Sequence, residues 1–430
     1  MKVLYLTHRF PYPPDKGERI RAFRQIEGLS RRHDVWLACL EREPIKPEAR
    51  AFMERMCRSV YVTRQTRWSS LARGALGLLK GGTVTQSFHR SRRLESALTQ
   101  WSDAVPFDAV IALSACMAPY AMNIRAGRRV LDLCDVDSQK WAEYTRHSRF
   151  PLHILYELES RRLAEVERTA LRQFDAVVVI NEREAALLRE ADVRDNLHVI
   201  PNGVSIPDRA NPPPNKPADD KAPTVGFVGV LNYRPNVDGV RWFVEKCWSI
   251  VRSQAPNARF RIVGRSPCRA IRALADRPGV DLIGEVADVN PEWRRFDVNV
   301  APLLIARGLQ NKALEAMAYG LPVVATSAVA TGLSARDGVE LLVADDAGTF
   351  ARRVIELLQD PAARQRLGAS AREFVKTQYR WEDAHEALDR VVTGVLASNA
   401  ADAEQALATS FLRGPIPENK PLSVSDGSPR

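Results

Sequence analysis

A regular alternation of short apolar runs and helical patterns constrains this chain most, because it occurs twice with one interruption. Helical periodicity fills the gaps between the runs, most clearly over residues 19–32 and 155–174. This order is typical of parallel sheets covered by helices. The predicted fold class is therefore α/β, with two doubly wound, Rossmann-like domains. The predicted strands are 2–7, 34–40, 60–63, 108–114, 129–135, 175–181, 197–201, 224–230, 259–263, 280–283, 297–302, 322–326 and 340–344.

The interruption spans residues 205–223, where prolines stand among polar residues in a composition typical of a semi-rigid linker. It separates a predicted N-terminal domain, 1–204, from a predicted C-terminal domain, 224–397. The last predicted helix, 381–397, belongs to the C-terminal domain in sequence, and packing against the N-terminal domain is an alternative for it. The polar tail, 398–430, is expected to be disordered. Two such domains bind a ligand in the cleft between them, at the carboxyl ends of their strands.

The net charge of +10 lies almost entirely in the N-terminal half of the chain. Residues 1–100 carry 20 Lys+Arg and 9 Asp+Glu, which is +11 and leaves −1 for the remainder. A basic surface of this kind meets nucleic acid, anionic lipid or a phosphorylated substrate, or is simply solvated. Residues 68–80 interleave apolar side chains with Arg73 and Lys80. This pattern favours a helix lying on a membrane surface, and an amphipathic helix packed on the domain's own core stays an open alternative.

Other composition features limit the classes of site and location. No apolar run reaches the length of a membrane-spanning helix, and residues 1–6 lead into a strand without a cleavable leader pattern. We expect a cytoplasmic protein, peripheral on the inner face of the cytoplasmic membrane. The six cysteines form no CxxC pair and the seven histidines no HxxH pair. We therefore expect reduced cysteines and no catalytic metal.

The most informative stretch runs from residue 306 to residue 326. It begins with a turn at Gly308, continues in a helix that opens with Gln310 and Asn311, and ends in a Gly-Leu-Pro stop before the next strand. The first amides of a helix attract phosphate, and Lys312 adds a full charge there. Glu315 follows on the same helical face, where a carboxylate accepts hydrogen bonds from ribose hydroxyls. A weak surface pair of Lys312 and Glu315 is the alternative.

This stretch resembles the donor-site signature of glycosyltransferase family 4, retaining enzymes of the GT-B fold with a Glu-x7-Glu element before Ala-Met-Ala-x-Gly-x-Pro-Val-Val. The resemblance implies that Glu315 contacts the ribose and that Lys312 binds the diphosphate. The first glutamate of the element is replaced by Arg307, which leaves the sugar contact unassigned. We predict that Arg307 turns to the diphosphate instead.

The resemblance extends to the first strand of the C-terminal domain, where the family commonly has an arginine and a lysine that bind the diphosphate. Those positions hold Val230 and Pro235 here. Arg234 is our candidate for the missing charge, and a solvated turn arginine is the alternative. Further along the chain, the turns at Gly264 and at Glu285 and Val286 resemble those that hold the nucleotide base by backbone contacts.

Acceptor-side candidates lie in the N-terminal domain. Lys16 and Gly17 follow the first strand, as does a glycine loop that faces donor and acceptor in family 4, and residues 5–17 resemble the opening of a subgroup found with PEP-CTERM and exosortase systems. Asp135 and Asp137 follow the fifth strand, and we expect them to bind the acceptor. A helix cap is one alternative, and a metal site, as in unrelated single-domain transferases, is another. His89 is a further candidate, and a structural histidine is the alternative.

The resemblance implies a retaining hexosyltransferase that uses a UDP- or GDP-type sugar in exopolysaccharide biosynthesis. The expected acceptor is lipid-linked or a polysaccharide, with the basic N-terminal half at the membrane surface and with no cofactor, metal or nucleic acid. Lys312 and nearby amides would neutralise the leaving diphosphate, and no residue is identified as a nucleophile. Two alternatives are a GT-B-like nucleotide-sugar epimerase and a non-catalytic basic binding protein.

Overall fold

The computed structural model describes residues 1–146, 148–207 and 222–394. The N-terminal part of the chain forms a seven-stranded sheet in the order β3-β2-β1-β4-β5-β6-β7. Every neighbouring pair in it is parallel. The strands are β1 (Lys2–Thr7), β2 (Asp34–Glu41), β3 (Ser59–Arg64), β4 (Phe107–Leu113), β5 (Ala126–Cys134), β6 (Ala176–Val179) and β7 (Leu197–Val199).

The C-terminal part forms a second sheet of six parallel strands, in the order β10-β9-β8-β11-β12-β13. The α/β prediction with two Rossmann-like sheets is confirmed. The strands are β8 (Thr224–Val228), β9 (Arg259–Val263), β10 (Val280–Gly284), β11 (Val298–Ala301), β12 (Val323–Ala325) and β13 (Leu342–Val343).

Helices connect the parallel strands, as crossover connections require. In the described residues none of them is both long and apolar enough to cross a membrane. A 3-10 turn (Ala115–Met117) precedes α6, and a π-helical turn (Phe243–Cys247) joins α10 to α11. The helices are α1 (Gly17–Ser30), α2 (Pro47–Met56), α3 (Arg67–Leu79), α4 (Val84–Phe88), α5 (Arg92–Ala104), α6 (Ala118–Met122), α7 (Asp137–Arg146), α8 (Leu152–Gln173), α9 (Glu182–Ala191), α10 (Arg234–Trp242), α11 (Trp248–Gln254), α12 (Arg269–Arg272), α13 (Asn290–Trp293), α14 (Asn311–Ala318), α15 (Ser327–Leu333), α16 (Ala347–Gln359), α17 (Pro361–Gln378) and α18 (Trp381–Thr393).

The last helix, α18, packs on the N-terminal domain. Trp381 and Leu388 belong to the hydrophobic cluster that includes Phe10 and α1, and Arg128 Nε donates to the Val391 carbonyl at 2.7 Å. The chain enters the C-terminal half beside this helix, since a Cβ at Gly203 would lie 2.4 Å from the Trp381 nitrogen. The domain limits 1–204, 205–223 and 224–397 stay predictions; most of the linker (208–221) and the tail (398–430) lie outside the described residues.

Both sheets reverse their strand order beside their first strand, between β1 and β4 and between β8 and β11. Loops at the carboxyl ends of the strands diverge at such a point and leave a crevice for a ligand. Side chains from both crevices meet: Arg265, after β9, forms an ion pair with Asp15, after β1, and donates to the Asp15 carbonyl at 3.0 Å. The site is therefore built from two facing edges.

Candidate active site

The C-terminal edge of the cleft is organised around Lys312, in the first turn of α14. The Lys312 ammonium donates to Asn236 Oδ1 and stands 5.3 Å from the centre of the Phe227 ring. Asn236 in turn donates to the Val230 carbonyl at 2.9 Å, which ties α10 to the loop after β8. We call Phe227, Asn236, Lys312 and Glu315 the C-terminal wall.

Burial shifts both ionisable groups of the C-terminal wall toward neutrality. It lowers the pKa of Lys312 to about 7, although the Glu315 charge opposes this. It raises the pKa of Glu315 to about 7, although the Lys312 charge opposes that as well. Among the described residues, the ion pairs do not include one between these two side chains. The structure therefore differs from a solvated surface pair, and an anion placed beside Lys312 would find a poorly hydrated cation.

Glu315 borders a cavity of about 580 Å³ that also receives residues from the N-terminal half and from α18. On the C-terminal side, Trp293 stacks on Tyr319 with 6.2 Å between ring centres. A nucleoside needs apolar faces for its base and a carboxylate for its ribose, and both are present here. Arg24, Asn311 and Trp381 also line this cavity.

The turn before α14 requires glycine at position 308. Gly308 has φ +58°, and a Cβ there would lie 2.1 Å from Asp135 Oδ1. Gln310 Nε2 donates to the Arg307 carbonyl at 2.7 Å and so closes the turn from inside. Asn311 lies at the start of the helix, where Asn202 Nδ2 of the N-terminal half approaches its Oδ1 at 3.5 Å. The predicted residues Gly308, Gln310 and Asn311 therefore belong to one turn that faces the other domain.

The structure places Arg307 differently from the predicted diphosphate contact. Arg307 Nη2 lies 2.6 Å from Glu143 Oε1, and Nη1 lies 3.7 Å from Glu184 Oε1. Glu184 is fully buried and Glu143 largely so, which means that the guanidinium compensates two carboxylates of the N-terminal domain. The diphosphate role would require this contact to open, because the charge is already engaged across the cleft.

The structure places Arg234 on the exposed side of α10. Its side chain is exposed and lies 3.5 Å from Asp238 one turn further along α10, whereas Asn236 is the α10 residue that reaches Lys312. Pro235 occupies the first turn of the helix, and Asn236 is buried behind it. A role of Arg234 in binding the diphosphate stays a prediction. The sequence did not lead us to Asn236. The available signal was a polar residue two positions after Arg234, on the side of α10 that is buried.

The turns expected to hold a base are present at the ends of β9 and β10. Gly264 has φ +148°, and a Cβ there would lie 1.7 Å from the Gly229 carbonyl, so glycine is needed for packing. Glu285 is exposed and Val286 is half-buried against the C-terminal core. Their role in binding a base stays a prediction.

The N-terminal edge contains a charged cluster from the ends of β1, β2 and α4 and from the first turn of α1. Glu18 accepts from His8 Nε2 at 3.2 Å and pairs with Arg9 Nε at 2.6 Å. Burial raises the pKa of Glu18, but the His8 hydrogen bond and the Arg9 charge outweigh it and lower the pKa to about 2. We call His8, Glu18, Arg42 and His89 the N-terminal wall.

His89 joins this wall as a neutral ring. Its Nδ1 donates to the Thr85 carbonyl at 2.9 Å, Arg42 Nη2 lies 3.5 Å from Nε2, and its ring meets the His8 ring edge-on at 5.3 Å. Burial, with the Arg42 charge acting in the same direction and the hydrogen bond to Thr85 opposing it, lowers the pKa of His89 to about 4. Of this wall, sequence analysis identified only His89 because the other residues come from separate elements.

The remaining predicted residues surround the two walls. Lys16 precedes α1, and a Cβ added at Gly17, the first residue of α1, would meet no atom within 4 Å, so packing alone does not require glycine there. Burial raises the pKa of Asp135 to about 7, with the Glu184 charge acting in the same direction. Asp137 begins α7 and accepts from Lys140 Nζ at 2.7 Å. In the described part of the chain no group of three His, Cys, Asp or Glu is placed to hold a metal.

The two walls offer complementary chemistry. A buried cation at a helix N-terminus stabilises a diphosphate that gains charge as it leaves. In the N-terminal wall, a neutral histidine and an ionised glutamate offer hydrogen-bond acceptors to hydroxyl groups. Two helix-covered parallel sheets that face each other across such a cleft define the GT-B class, as predicted.

Comparisons with known proteins agree with this class. Residues 16–203 match the family "Glycosyl transferase 4-like domain" and residues 222–360 match "Glycosyl transferases group 1". The chain is 31% identical over 273 residues to the lipopolysaccharide core biosynthesis mannosyltransferase LpsB of Rhizobium meliloti, which spans 58% of this chain and 73% of LpsB. The chain therefore belongs to the glycosyltransferases.

One further relative and two solved structures are similar to nearly the whole chain. An uncharacterized 44.6 kDa protein in the cps region of Klebsiella pneumoniae is 22% identical over 395 residues, which is 88% of this chain and 96% of that protein. Sucrose-phosphate synthase from Thermosynechococcus elongatus superposes with a TM-score of 0.69 at 16% identity, over 95% and 100% of the two chains. Anabaena HepE in complex with UDP and glucose gives 0.63 at 16% identity, over 92% and 100%. These structures share the fold.

Proposed function

We propose that this glycosyltransferase moves a hexosyl group, with retention of configuration, from a UDP- or GDP-type sugar to a lipid-linked or polysaccharide acceptor. The observation that carries the proposal lies on α14, where the Lys312 side chain donates to Asn236 and Glu315, one turn further along, borders a cavity of about 580 Å³. In this proposal Lys312 binds the diphosphate of the donor and Glu315 accepts hydrogen bonds from its ribose.

A place in bacterial surface-polysaccharide synthesis is part of the proposal. It is supported by the lipopolysaccharide core mannosyltransferase and by the protein of the Klebsiella cps region among the relatives. Anabaena HepE, which has the same fold, was solved with UDP and glucose. The exopolysaccharide system with PEP-CTERM signals stays a narrower proposal, supported by the sequence of residues 5–17.

Catalysis in this proposal depends on electrostatic stabilisation. Lys312 Nζ would exchange its bond to Asn236 for the departing diphosphate, and contact between the walls would exclude water. The N-terminal wall would orient the acceptor hydroxyl through Glu18 and His89. We place the protein at the inner face of the cytoplasmic membrane, with its basic N-terminal half toward the lipid.

A thermal-shift panel of UDP, GDP and ADP tests the donor site. We expect UDP or GDP to raise the Tm of the wild type, and Lys312→Met to weaken that nucleotide about tenfold to a hundredfold because a charged hydrogen bond is lost. Glu315→Gln should weaken it less, since an amide oxygen still accepts from ribose. Matched controls are Lys376→Met and Glu373→Gln, an exposed pair on α17.

The same panel separates the alternatives. If no nucleotide stabilises the wild type, or if Lys312→Met binds like the Lys376→Met control, the donor site is wrong. Turnover of the sugar nucleotide without any acceptor would instead indicate an epimerase. Transfer that requires a lipid or glycan acceptor, and that is lost in Lys312→Met, is the result expected of the proposed enzyme.

A further inference from the structure

A second cavity, about 600 Å³, lies between the end of β3, helix α3 and the start of α5. Six of its lining side chains are cations and several others are hydroxyls, whereas the lining contains no carboxylate. We call it the basic pocket. Its cationic residues are Arg64, Arg73, Lys80, Arg90, Arg92 and Arg93.

The positive charge of the basic pocket is almost uncompensated. Residues 55–94 contain nine Lys and Arg and no Asp or Glu. Within the described residues, one of the six cations has an ion-pair partner, Arg90, whose Nε lies 3.1 Å from Glu95. Arg73 donates to Ser70 Oγ at 3.0 Å through Nη2, but its buried Nε has no hydrogen-bond partner. Arginines held this way bind phosphate oxygens strongly.

Helix α3, which forms one side of the basic pocket, carries apolar side chains on its outer surface. Trp68 is 82% exposed and Leu79 is 83% exposed, with Leu71 and Leu76 also exposed. The opposite side of α3 is fixed: a Cβ at Gly74 would lie 3.2 Å from Val84, and Arg162 donates to the Leu78 carbonyl at 3.0 Å. A rigid helix that presents apolar residues beside cations suits a membrane interface.

The basic pocket borders the N-terminal wall of the cleft. Gln65 Nε2 donates to the carbonyls of His89 and Arg90, at 3.3 and 3.2 Å. The His89 ring faces His8 in the cleft, while the next residue, Arg90, lines the basic pocket. A ligand in the pocket is therefore one residue away from the wall that we assign to the acceptor.

We propose that the basic pocket binds the phosphate or diphosphate group of a membrane lipid, with the apolar side chains of α3 entering the interfacial layer beside it. The proposal deepens the membrane placement of the proposed function and rests on it. A free phosphate ligand would leave Trp68 and Leu79 without a partner. A nucleic acid would need several aromatic platforms, and Trp68 is the single large aromatic on α3.

Vesicle co-sedimentation of the full chain tests the proposal, with phosphatidylcholine vesicles compared with vesicles that also contain phosphatidylglycerol. We expect binding to the mixed vesicles only. Each basic residue near an anionic surface contributes about fivefold in affinity, so removal of three should weaken binding on the order of 100-fold. The pocket variant is Arg64→Gln, Lys80→Gln and Arg92→Gln, all exposed. The control, with the same change in net charge, is Arg269→Gln, Arg272→Gln and Arg277→Gln, also exposed.

The two triple variants give opposite predictions. The control should bind within about threefold of wild type, because local rather than net charge matters within a Debye length. If both variants lose vesicle binding equally, net charge rather than the basic pocket explains binding. If neither variant loses binding, the basic pocket does not bind the lipid. Trp68→Ser with Leu79→Ser should also release the protein, whereas Val193→Ser, at a site 78% exposed, should not.

Two soluble probes separate other sources of phosphate. A Tm shift with inorganic pyrophosphate that the pocket variant loses, without vesicle binding by the wild type, would mean a soluble ligand and overturn the lipid. The lipid would also be overturned if the wild type bound an oligonucleotide more tightly than mixed vesicles and the pocket variant lost that binding. The pocket variant should keep the nucleotide-induced Tm shift, so failure at this pocket and failure at the donor site are distinguishable.

Discussion

The C-terminal and N-terminal walls of the cleft are built differently. Lys312 and Glu315 lie one turn apart on α14, and a single helix fixes their geometry. His8, Glu18, Arg42 and His89 come from four places in the chain, and only the parallel register that sets Thr7 beside Cys39 brings the ends of β1 and β2 together. A contiguous site depends on one helix, whereas the dispersed wall depends on the whole sheet.

The walls also differ in the charge state that burial favours. In the C-terminal wall, burial lowers the pKa of Lys312 and raises that of Glu315, each to about 7. In the N-terminal wall, neighbouring cations keep Glu18 ionised, with a pKa of about 2. We infer that the C-terminal wall gains its charge with the ligand, while the N-terminal wall is charged beforehand.

Arg307→Ala should have the largest effect on stability, about 3 kcal/mol, because it leaves Glu143 and Glu184 without their cation. Nucleotide affinity should stay within about threefold of wild type, since the structure engages Arg307 across the cleft. Denaturant unfolding and nucleotide titration measure the two quantities. Arg189→Ala, at an exposed pair with Glu182, is the control.

The opposite outcome for Arg307 has a clear meaning. Unchanged stability together with a large loss of nucleotide affinity would restore the diphosphate role predicted from the sequence. It would also show that the Arg307 guanidinium serves the donor site rather than the contact between the two domains.

Asn236→Ala should cost about 2 kcal/mol of stability, because the buried Lys312 ammonium and the Val230 carbonyl each lose a partner. Arg234→Ala, two residues away on α10, should change stability by less than about 0.5 kcal/mol and leave nucleotide affinity unchanged, since that side chain is exposed. Thermal unfolding with and without nucleotide compares the two. A larger effect on nucleotide affinity from Arg234→Ala than from Asn236→Ala would support the diphosphate contact predicted for Arg234.

Nucleotide affinity should fall as pH rises above about 7. Lys312 has a lowered pKa of about 7 in the free protein, and a bound diphosphate would raise it. The complex thus favours the protonated amine, so the contribution of Lys312 to affinity is full below pH 7 and falls by up to about tenfold per pH unit above it. Calorimetry in two buffers should detect proton uptake on binding at pH 8. Lys312→Arg, charged throughout, should show neither effect, and a pH-independent wild type would contradict the assignment.

Glu18→Gln should have the smallest effect, below about 1 kcal/mol at pH 7, because Glu18 is one-third exposed and solvent screens its pairs. The folded-state pKa is lowered to about 2, so Glu18 stabilises the fold above its unfolded pKa and loses this as pH falls through about 2. The Tm gap between variant and wild type should therefore close toward pH 2. The control is Glu386→Gln, at an exposed position. If Glu18→Gln lowers the Tm at pH 7 no more than this control does, the N-terminal wall is not preorganised.

The fold was predictable because buried parallel strands read as continuous apolar runs. Lys2–Thr7 and Arg259–Val263 agree with the prediction at both ends, and β13 is shorter than its predicted run, 340–344. The spacing of Lys312 and Glu315 was predictable as well, since a helix fixes the positions of residues three apart.

Contacts that depend on how elements meet could not be predicted from the sequence. The pairing of Arg307 with Glu143 and Glu184 needs the position of one domain relative to the other. The choice of Asn236 over Arg234 as the neighbour of Lys312 needs the direction in which α10 leaves β8. Neither is contained in local periodicity or charge.

A crystal structure with the nucleotide that gives the largest Tm shift tests the central claim most directly. We predict phosphate oxygens about 2.7–3.2 Å from Lys312 Nζ and from the first amides of α14, with a ribose hydroxyl on Glu315. The Lys312 bond to Asn236 should be exchanged for one to phosphate. A nucleotide bound elsewhere, including the basic pocket, or one that leaves the bond between Lys312 and Asn236 unchanged, would contradict the account.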